Sequence, residues 1–233
     1  MMDQYIYWRH PTVPGIKVEE VSGAEGMKNT IWLQGALQVY CENGKDDYRE
    51  IGHFRNGAPF LYGGDERISI THCRGLLAVA TLAPTPDIDL STFNEKTALG
   101  IDAEPADRRQ VLDIRQRFLS EEELKAVPAD DLQANILAWT SKEAAYKARL
   151  KEGLDFRKDI KISRFPRFLP STPIFVAKEY GLPEGTHTLP DDFYGEITAG
   201  DVKFHLFSYL SEGCVVTIAF APSTVRLGKN FRP

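Results

Sequence analysis

The stretch of sequence that decides the fold is residues 131–150, which read DLQANILAWTSKEAAYKARL. Placed at helical spacing, its larger apolar side chains share one face: Leu132, Ile136, Trp139, Tyr146 and Leu150. Glu143 lies at the centre of that face. A carboxylate that faces a protein core is costly unless it is neutralised, paired or bound to a metal, so the pattern indicates a helix with a functional acid. The alternative is a surface ion pair with Lys147, which would contribute about 0.3–0.5 kcal/mol.

A second acidic element precedes this helix, at Gly100-Ile101-Asp102-Ala103-Glu104. If the stretch is a strand, Asp102 and Glu104 project from the same side. Three carboxylates from two elements could then converge on one hard cation. For the strand pair alone a structural interpretation is available, because Glu104 could cap a helix that starts at Pro105.

Composition limits the classes of function. With 233 residues, the chain can form one domain or two closely packed halves. The formal net charge of -5 argues against a general nucleic-acid binder. Three cysteines without a CxxC pair favour a reducing compartment and offer no disulfide framework. No signal peptide is evident and no apolar run approaches the ~20 residues that span a bilayer, so we expect a cytoplasmic protein without a membrane segment.

The remaining pattern predicts strands, then helices, then strands again, which is typical of an α+β fold. A turn is expected at Asn56-Gly57 and a loop at residues 84–96. Ser120 and Glu123 match a capping box that begins a short helix. Predicted strands cover residues 51–54, 59–62, 67–71, 76–82, 98–104, 160–165, 174–177, 194–198, 202–210 and 214–221; the period of residues 31–40 is ambiguous.

Taken together, these motifs resemble the 4'-phosphopantetheinyl transferases. That family has a Gly-Ile-Asp-x-Glu strand and a Trp-x-x-Lys-Glu-x-x-x-Lys helix, which residues 100–104 and 139–147 match. Residues 117–123, RFLSEEE, resemble the family's link between the two. Residues 68–73, ISITHC, and 56–59, NGAP, resemble its Asn-Ile-Ser-His-Ser segment and Gly-Lys-Pro turn. The similarity covers roughly residues 28–165, and the length of the chain fits the pseudo-dimeric surfactin-type branch.

The resemblance implies an α+β fold of two similar α/β halves, related by a pseudo-two-fold, with the active site between them. The halves would be residues 1–97 and 98–233, packed closely together in a monomer. Members of the family move the 4'-phosphopantetheine arm of coenzyme A onto a serine of an acyl or peptidyl carrier protein. Adenosine 3',5'-bisphosphate is released, and Mg²⁺ is required.

The resemblance also implies roles for individual residues. Asp102, Glu104 and Glu143 would bind Mg²⁺, which prefers oxygen ligands and bridges substrate phosphates. Glu143 would also accept the serine proton, and Lys147 would hold the pyrophosphate. The residues implied to bind coenzyme A are Lys28, Thr71, His72, Asp102, Lys142 and Lys147. Lys142 is either a phosphate contact or a support for the fold.

The chain departs from the family pattern where the 3'-phosphate of coenzyme A would bind. Ala58 stands where the family has a lysine, and residues 34–36 lack the usual cation. We therefore expect a raised KM for coenzyme A. A basic helix surface could dock an acidic carrier protein, although a solvated helix face is the alternative; its residues are Arg108, Arg109, Arg115 and Arg117.

Three other functions are compatible with parts of the pattern. A non-catalytic relative could bind coenzyme A or a carrier protein, which the missing cations favour. A metal-dependent nuclease also combines carboxylates with a lysine, but the acidic balance disfavours it. Finally, Glu143 could be a buried, ion-paired residue of a structural domain.

Overall fold

The computed structural model describes residues 5–9, 16–22, 51–55, 57–62, 67–82, 99–168 and 194–221. They form mixed helices and sheets in the predicted order, in agreement with an α+β fold. The early strands are β1 Tyr5–Arg9, β2 Ile16–Ser22, β3 Ile51–His53, β4 Pro59–Leu61, β5 Arg67–Cys73, β6 Leu76–Leu82 and β7 Leu99–Pro105. The helices and later strands are α1 Gln110–Phe118, α2 Glu121–Ala126, α3 Leu132–Arg149, β8 Ile160–Arg164, β9 Gly195–Ala199, β10 Val202–Ser211 and β11 Cys214–Phe220.

The described strands form two larger antiparallel sheets, one from strands that precede β7 and one from β7 and the strands that follow it. Strands β1-β2-β6-β5 form a four-stranded sheet, and β7-β11-β10-β9-β8 form a five-stranded sheet. Strands β3 and β4 form a separate hairpin. The predicted meander at the end of the chain is confirmed, since β10 pairs antiparallel with both β9 and β11. The pseudo-two-fold and the boundary at residues 97 and 98 stay predictions.

The two sheets meet where β5 lies beside β7, at the edge of each sheet. An edge strand leaves backbone N–H groups without a ladder partner. Here the N–H of Ile101 donates to the Ser69 hydroxyl at 3.0 Å, and the N–H of Ala103 donates to the Thr71 hydroxyl at 3.0 Å. Strand β7 is thus held by the backbone of β11 on one side and by hydroxyls of β5 on the other, which fixes the position of Asp102 between them.

Apolar residues of both sheets share one core. A second polar connection crosses it, because the buried Glu20 of β2 accepts hydrogen bonds from Tyr209 at 2.6 Å and Ser211 at 2.5 Å. The two sheets therefore pack as one interior. Among the residues of this core are Ile16, Val18, Leu76, Leu99, Ile101, Phe207, Val216 and Ile218.

Helix α3 begins where Asp131 caps it, since the Asp131 carboxylate accepts the N–H of Ala134 at 2.9 Å. The predicted helix is confirmed, but the predicted buried face is wrong in part. Alanines form much of the face that packs against the sheet: Ala138, Ala144, Ala145 and Ala148. Trp139, Glu143 and Tyr146 are only half-buried. Small residues let the helix approach the sheet most closely, so the alanine face forms the centre of the contact between α3 and the sheet. Glu143 lies at the margin of this contact.

The structure also tests where the two helices before α3 were predicted to begin. Pro105 ends β7 and α1 starts only at Gln110, so Glu104 is not a cap of that helix. The capping box is confirmed: Ser120 accepts the N–H of Glu123 at 3.2 Å, and the Glu123 carboxylate accepts the N–H of Ser120 at 2.7 Å. Several predictions lie outside the described residues, namely those for Asn56 and for residues 31–40, 84–96 and 174–177. The described helices include none with the length and apolarity that a membrane crossing requires.

Candidate functional site

Gly100 sets the distance between β7 and α3. A Cβ atom built on Gly100 would overlap the carbonyl oxygen of Ala144 and lie 2.6 Å from the backbone nitrogen of Ala148. Only glycine permits such a close approach of helix backbone to strand. Side chains alternate along a strand, so Asp102 and Glu104 share the face of Gly100 that α3 covers. The strand acids and the helix acid are thereby brought to one region.

Asp102 is buried and only partly paired. Its Oδ1 accepts hydrogen bonds from the Lys147 ammonium at 2.7 Å and from the Thr71 hydroxyl at 3.3 Å. Its Oδ2 is buried with no partner among the described residues. Burial raises the pKa of Asp102 to about 6, against the lowering effect of Lys147, and the charge of Glu104 adds to the rise. One oxygen of this carboxylate thus remains available to a cation.

Glu104 is oriented by an indole that the sequence analysis assigned only to an apolar stripe. The Trp139 Nε1–H donates to Glu104 Oε1 at 3.0 Å, and Arg108 pairs with the same oxygen. The Trp139 ring packs between Phe118 and Phe156, with centroids 5.1 and 5.8 Å away. The polar role of Trp139 was missed, although a half-buried indole N–H usually has an acceptor.

Glu143 lies one helical turn after Trp139 and one turn before Lys147. Burial, together with the negative charges of Asp102 and Glu104, raises the pKa of Glu143 to about 7, against the lowering effect of Lys147 and Arg108. The three acids therefore repel one another when all are ionised.

A divalent cation fits this set of groups. It would offset the repulsion between the acids and could use the free oxygen of Asp102. Within the described part of the chain, no three Asp, Glu, His or Cys side chains are placed to hold a metal ion by themselves. Mg²⁺ commonly takes only one or two protein carboxylates and completes its shell with phosphate oxygens and water. The arrangement suits an ion that arrives with a phosphorylated substrate.

Lys147 connects the acids to a cavity of about 200 Å³. Its ammonium donates to the Ile101 carbonyl at 3.0 Å as well as to Asp102, and its side chain is 31% exposed. The cavity lies between the β3–β4 turn, strand β5 and the end of α3; its walls include Gly57, Ala58, Ser69, Tyr146, Lys147 and Lys151. A phosphate group in this cavity could reach Lys147 directly.

Lys142 is a correction to the predicted coenzyme A contacts. Its side chain is 0% exposed, and its ammonium donates to Glu123 at 2.6 Å, to the Phe156 carbonyl at 2.8 Å and to the Ile160 carbonyl at 2.6 Å. All three N–H donors are used inside the fold, and burial lowers the pKa of Lys142. Of the two alternatives for Lys142, the structure supports the structural one.

The structure places the other residues that were predicted to bind coenzyme A in different surroundings. Thr71 is buried and serves Asp102 and Ala103, so its hydroxyl positions β7. His72 is exposed on β5. Ala58 borders the cavity, which places the departure from the family turn at the candidate site. Lys28 and residues 34–36 lie outside the described residues.

The predicted arginine surface is divided by the structure. Arg115 is engaged inside the helical layer, where it donates to Asn135 at 3.0 Å and to the Val127 carbonyl at 2.6 Å. Arg108 pairs with Glu104. Arg109 and Arg117 are exposed. Only these last two present their charge to solvent as the sequence analysis expected of all four.

The described part of the chain is an α+β domain with acids on a strand and a helix and a lysine at the edge of a cavity. Residues 98–185 match the family model of the 4'-phosphopantetheinyl transferase superfamily. Over these residues the resemblance to the superfamily is confirmed, while the surfactin-type branch stays a prediction. The matched segment contains all three acids and Lys147. No curated protein matches the chain.

Proposed function

We propose that the protein transfers the 4'-phosphopantetheine arm of coenzyme A to a serine of an acyl or peptidyl carrier protein and releases adenosine 3',5'-bisphosphate. The superfamily match supports the class of reaction. The observation that carries the proposal is the position of the Lys147 ammonium, 2.7 Å from the buried Asp102 and at the edge of a cavity. This arrangement offers one fixed cation and a place for a second, as a pyrophosphate requires.

In this proposal Asp102, Glu104 and Glu143 are the residues that would hold Mg²⁺, with substrate phosphate oxygens and water completing its shell. The ion supplies neutralisation of the charge that builds on the pyrophosphate as its bond breaks. Thr71 and Trp139 orient two of the three acids through the hydrogen bonds described above. We therefore expect Mg²⁺ dependence to require both β7, which carries Asp102 and Glu104, and α3, which carries Glu143.

The chain's own residues account for the proton and the leaving group. The serine oxygen attacks the β-phosphorus, and the bond from that phosphorus to the bridging oxygen breaks. Glu143 would take the serine proton; burial raises its pKa to about 7 without a metal, and a bound cation would lower that pKa again. Lys147 donates hydrogen bonds to the pyrophosphate and to the phosphate that departs. The bisphosphate leaves with the electron pair of the broken bond.

The test is incubation of the protein with coenzyme A, Mg²⁺ and a panel of apo carrier proteins, followed by intact-mass measurement. A carrier should gain the mass of the phosphopantetheine arm, and omission of Mg²⁺ should abolish the gain. Lys147→Met should abolish it too, whereas the matched control Lys158→Met, at an exposed lysine, should not. Absence of any mass gain over a broad panel would remove the transferase proposal.

Ala58 on the cavity wall favours the non-catalytic relative as the second candidate. A lost charge-assisted hydrogen bond costs about 1.5–3 kcal/mol, which weakens binding without abolishing it. For the transferase we thus expect a raised KM for coenzyme A, and Ala58→Lys should lower it. Calorimetry that shows coenzyme A binding, together with a silent carrier panel, would favour the second candidate.

Carrier docking is assigned to Arg109 and Arg117. Charge reversal at either should weaken carrier binding and reduce its dependence on salt. Arg115→Glu should instead lower the stability of the fold, because Arg115 contacts Asn135 and Val127. Unchanged carrier kinetics in both Arg109→Glu and Arg117→Glu would exclude this surface. The cytoplasmic location and the monomeric state remain predictions.

A further inference from the structure

Two cysteines that are far apart in the chain contact each other at the junction of the two sheets. Cys73 is the last residue of β5 and Cys214 is the first residue of β11. Their Sγ atoms are 2.9 Å apart, although the two positions are 141 residues apart in the chain. Both are free thiols. We propose that this pair is an oxidation site that closes to a disulfide and joins the four-stranded sheet covalently to the five-stranded sheet.

The surroundings of the pair suit this chemistry. Cys214 is 1% exposed, while Cys73 is only half-buried, so a small oxidant can reach the sulfur of Cys73. The thiols share a hydrogen bond, and the bond from Cys73 lowers the pKa of Cys214. A pair of this kind holds one thiolate more readily than an isolated buried thiol does.

The proposed oxidant is a small-molecule disulfide. The accessible Cys73 sulfur attacks one of its sulfurs as the Cys73 proton passes to Cys214 across their hydrogen bond, which forms a mixed disulfide and releases one small thiol. The Cys214 sulfur then displaces the second small thiol from Cys73 and forms the bond between Cys73 and Cys214. Two protein thiols are oxidised, one small disulfide is reduced to two thiols, and the two protons leave on those thiols.

Little movement is needed to form this bond. A disulfide has an S–S length of about 2.0 Å, so sulfurs already 2.9 Å apart must approach by about 1 Å. The two cysteines also belong to the packed core between the sheets, or lie against it. We therefore expect the crosslink to preserve the native packing. Because it would close a long loop and constrain the unfolded chain, it should raise the midpoint of thermal unfolding.

The test uses the full chain, first reduced and then exposed to glutathione disulfide. The number of free thiols should fall from three to one, and a non-reducing digest should yield a peptide pair linked through Cys73 and Cys214. The thermal midpoint should rise on oxidation and return to its original value on reduction. Cys41→Ser is the matched control, because it should form the same bond and show the same rise.

Cys73→Ser and Cys214→Ser should each abolish the linked peptide and the rise in midpoint. Cys73 is half-buried, so its variant remains informative if the buried Cys214 variant fails to fold. The proposal would be overturned by glutathione adducts without a linked peptide, by a bond that includes Cys41, or by three free thiols after oxidation. None of these readouts depends on transferase activity.

Discussion

Replacement of the buried Lys142 by methionine separates a structural role from a role in substrate binding. The ammonium of Lys142 donates to the Glu123 carboxylate, the Phe156 carbonyl and the Ile160 carbonyl at 2.6–2.8 Å. These contacts tie α3 to α2 and to the segment that leads into β8. Methionine keeps much of the length of the side chain and removes its charge and its donors.

The loss of stability expected for Lys142→Met follows from the groups that stay buried after the substitution. Glu123 stays buried, with N–H donors from Ser120 and Ile162 but without a counter-ion. Removal of one partner of a buried ion pair typically costs about 3–5 kcal/mol. In a chain of this size each kcal/mol lowers the thermal midpoint by about 2–4 °C, so the midpoint should fall by about 6–20 °C.

Two measurements distinguish a structural role of Lys142 from a role in binding coenzyme A. Thermal unfolding should show the fall in midpoint, while the KM for coenzyme A, measured well below that midpoint, should stay unchanged. In the double variant with Glu123→Gln, part of the stability should return, because no unpaired charge is left. A normal midpoint combined with a raised KM would mean that the Lys142 ammonium reaches a phosphate and would refute its structural role.

Three further predictions concern the acids. Gly100→Ala should push α3 off β7 and reduce turnover by about 100-fold, the usual effect of a misplacement near 1 Å; unchanged turnover would show that this close approach is unnecessary. Trp139→Phe removes the donor to Glu104 and should raise the Mg²⁺ concentration for half-maximal transfer at least about tenfold, since a hydrogen bond to a charged group contributes about 1.5–3 kcal/mol; an unchanged Mg²⁺ requirement would contradict this. The folded-state pKa values of Asp102 and Glu143 are raised to about 6 and 7, so the folded protein binds more protons than the unfolded chain at mildly acidic pH. Without metal, stability should therefore fall as the pH rises from about 4 to 7, and Glu143→Gln should flatten that dependence; a pH profile identical to that of the unsubstituted protein would contradict it.

Much of the site could be predicted because its motifs are local. Strand alternation placed Asp102 and Glu104 on one face, and helical spacing placed Glu143 and Lys147 near each other. The same spacing misjudged how α3 is turned toward the sheet. The residues in closest contact, Ala144 among them, are small and give little apolar signal, whereas Trp139 gives a strong one from the edge of the interface.

Contacts between distant segments could not be predicted from one sequence. The burial of Lys142 depends on carbonyls in the segment that leads into β8, which no helical projection contains. The contact between Cys73 and Cys214 depends on how two sheets meet. An odd number of cysteines without a CxxC motif gave no hint of it.

The joint between β5 and β7 carries a weakness that an ordinary sheet does not have. A ladder of peptide groups survives nearly any change of side chain, but here two amide groups depend on the oxygens of Ser69 and Thr71. Valine at either position would leave an N–H stranded in the interior, and at position 71 it would also remove a partner of Asp102. A single replacement of Ser69 or Thr71 by a residue of similar size would therefore disturb both the contact between the two sheets and the alignment of the acids.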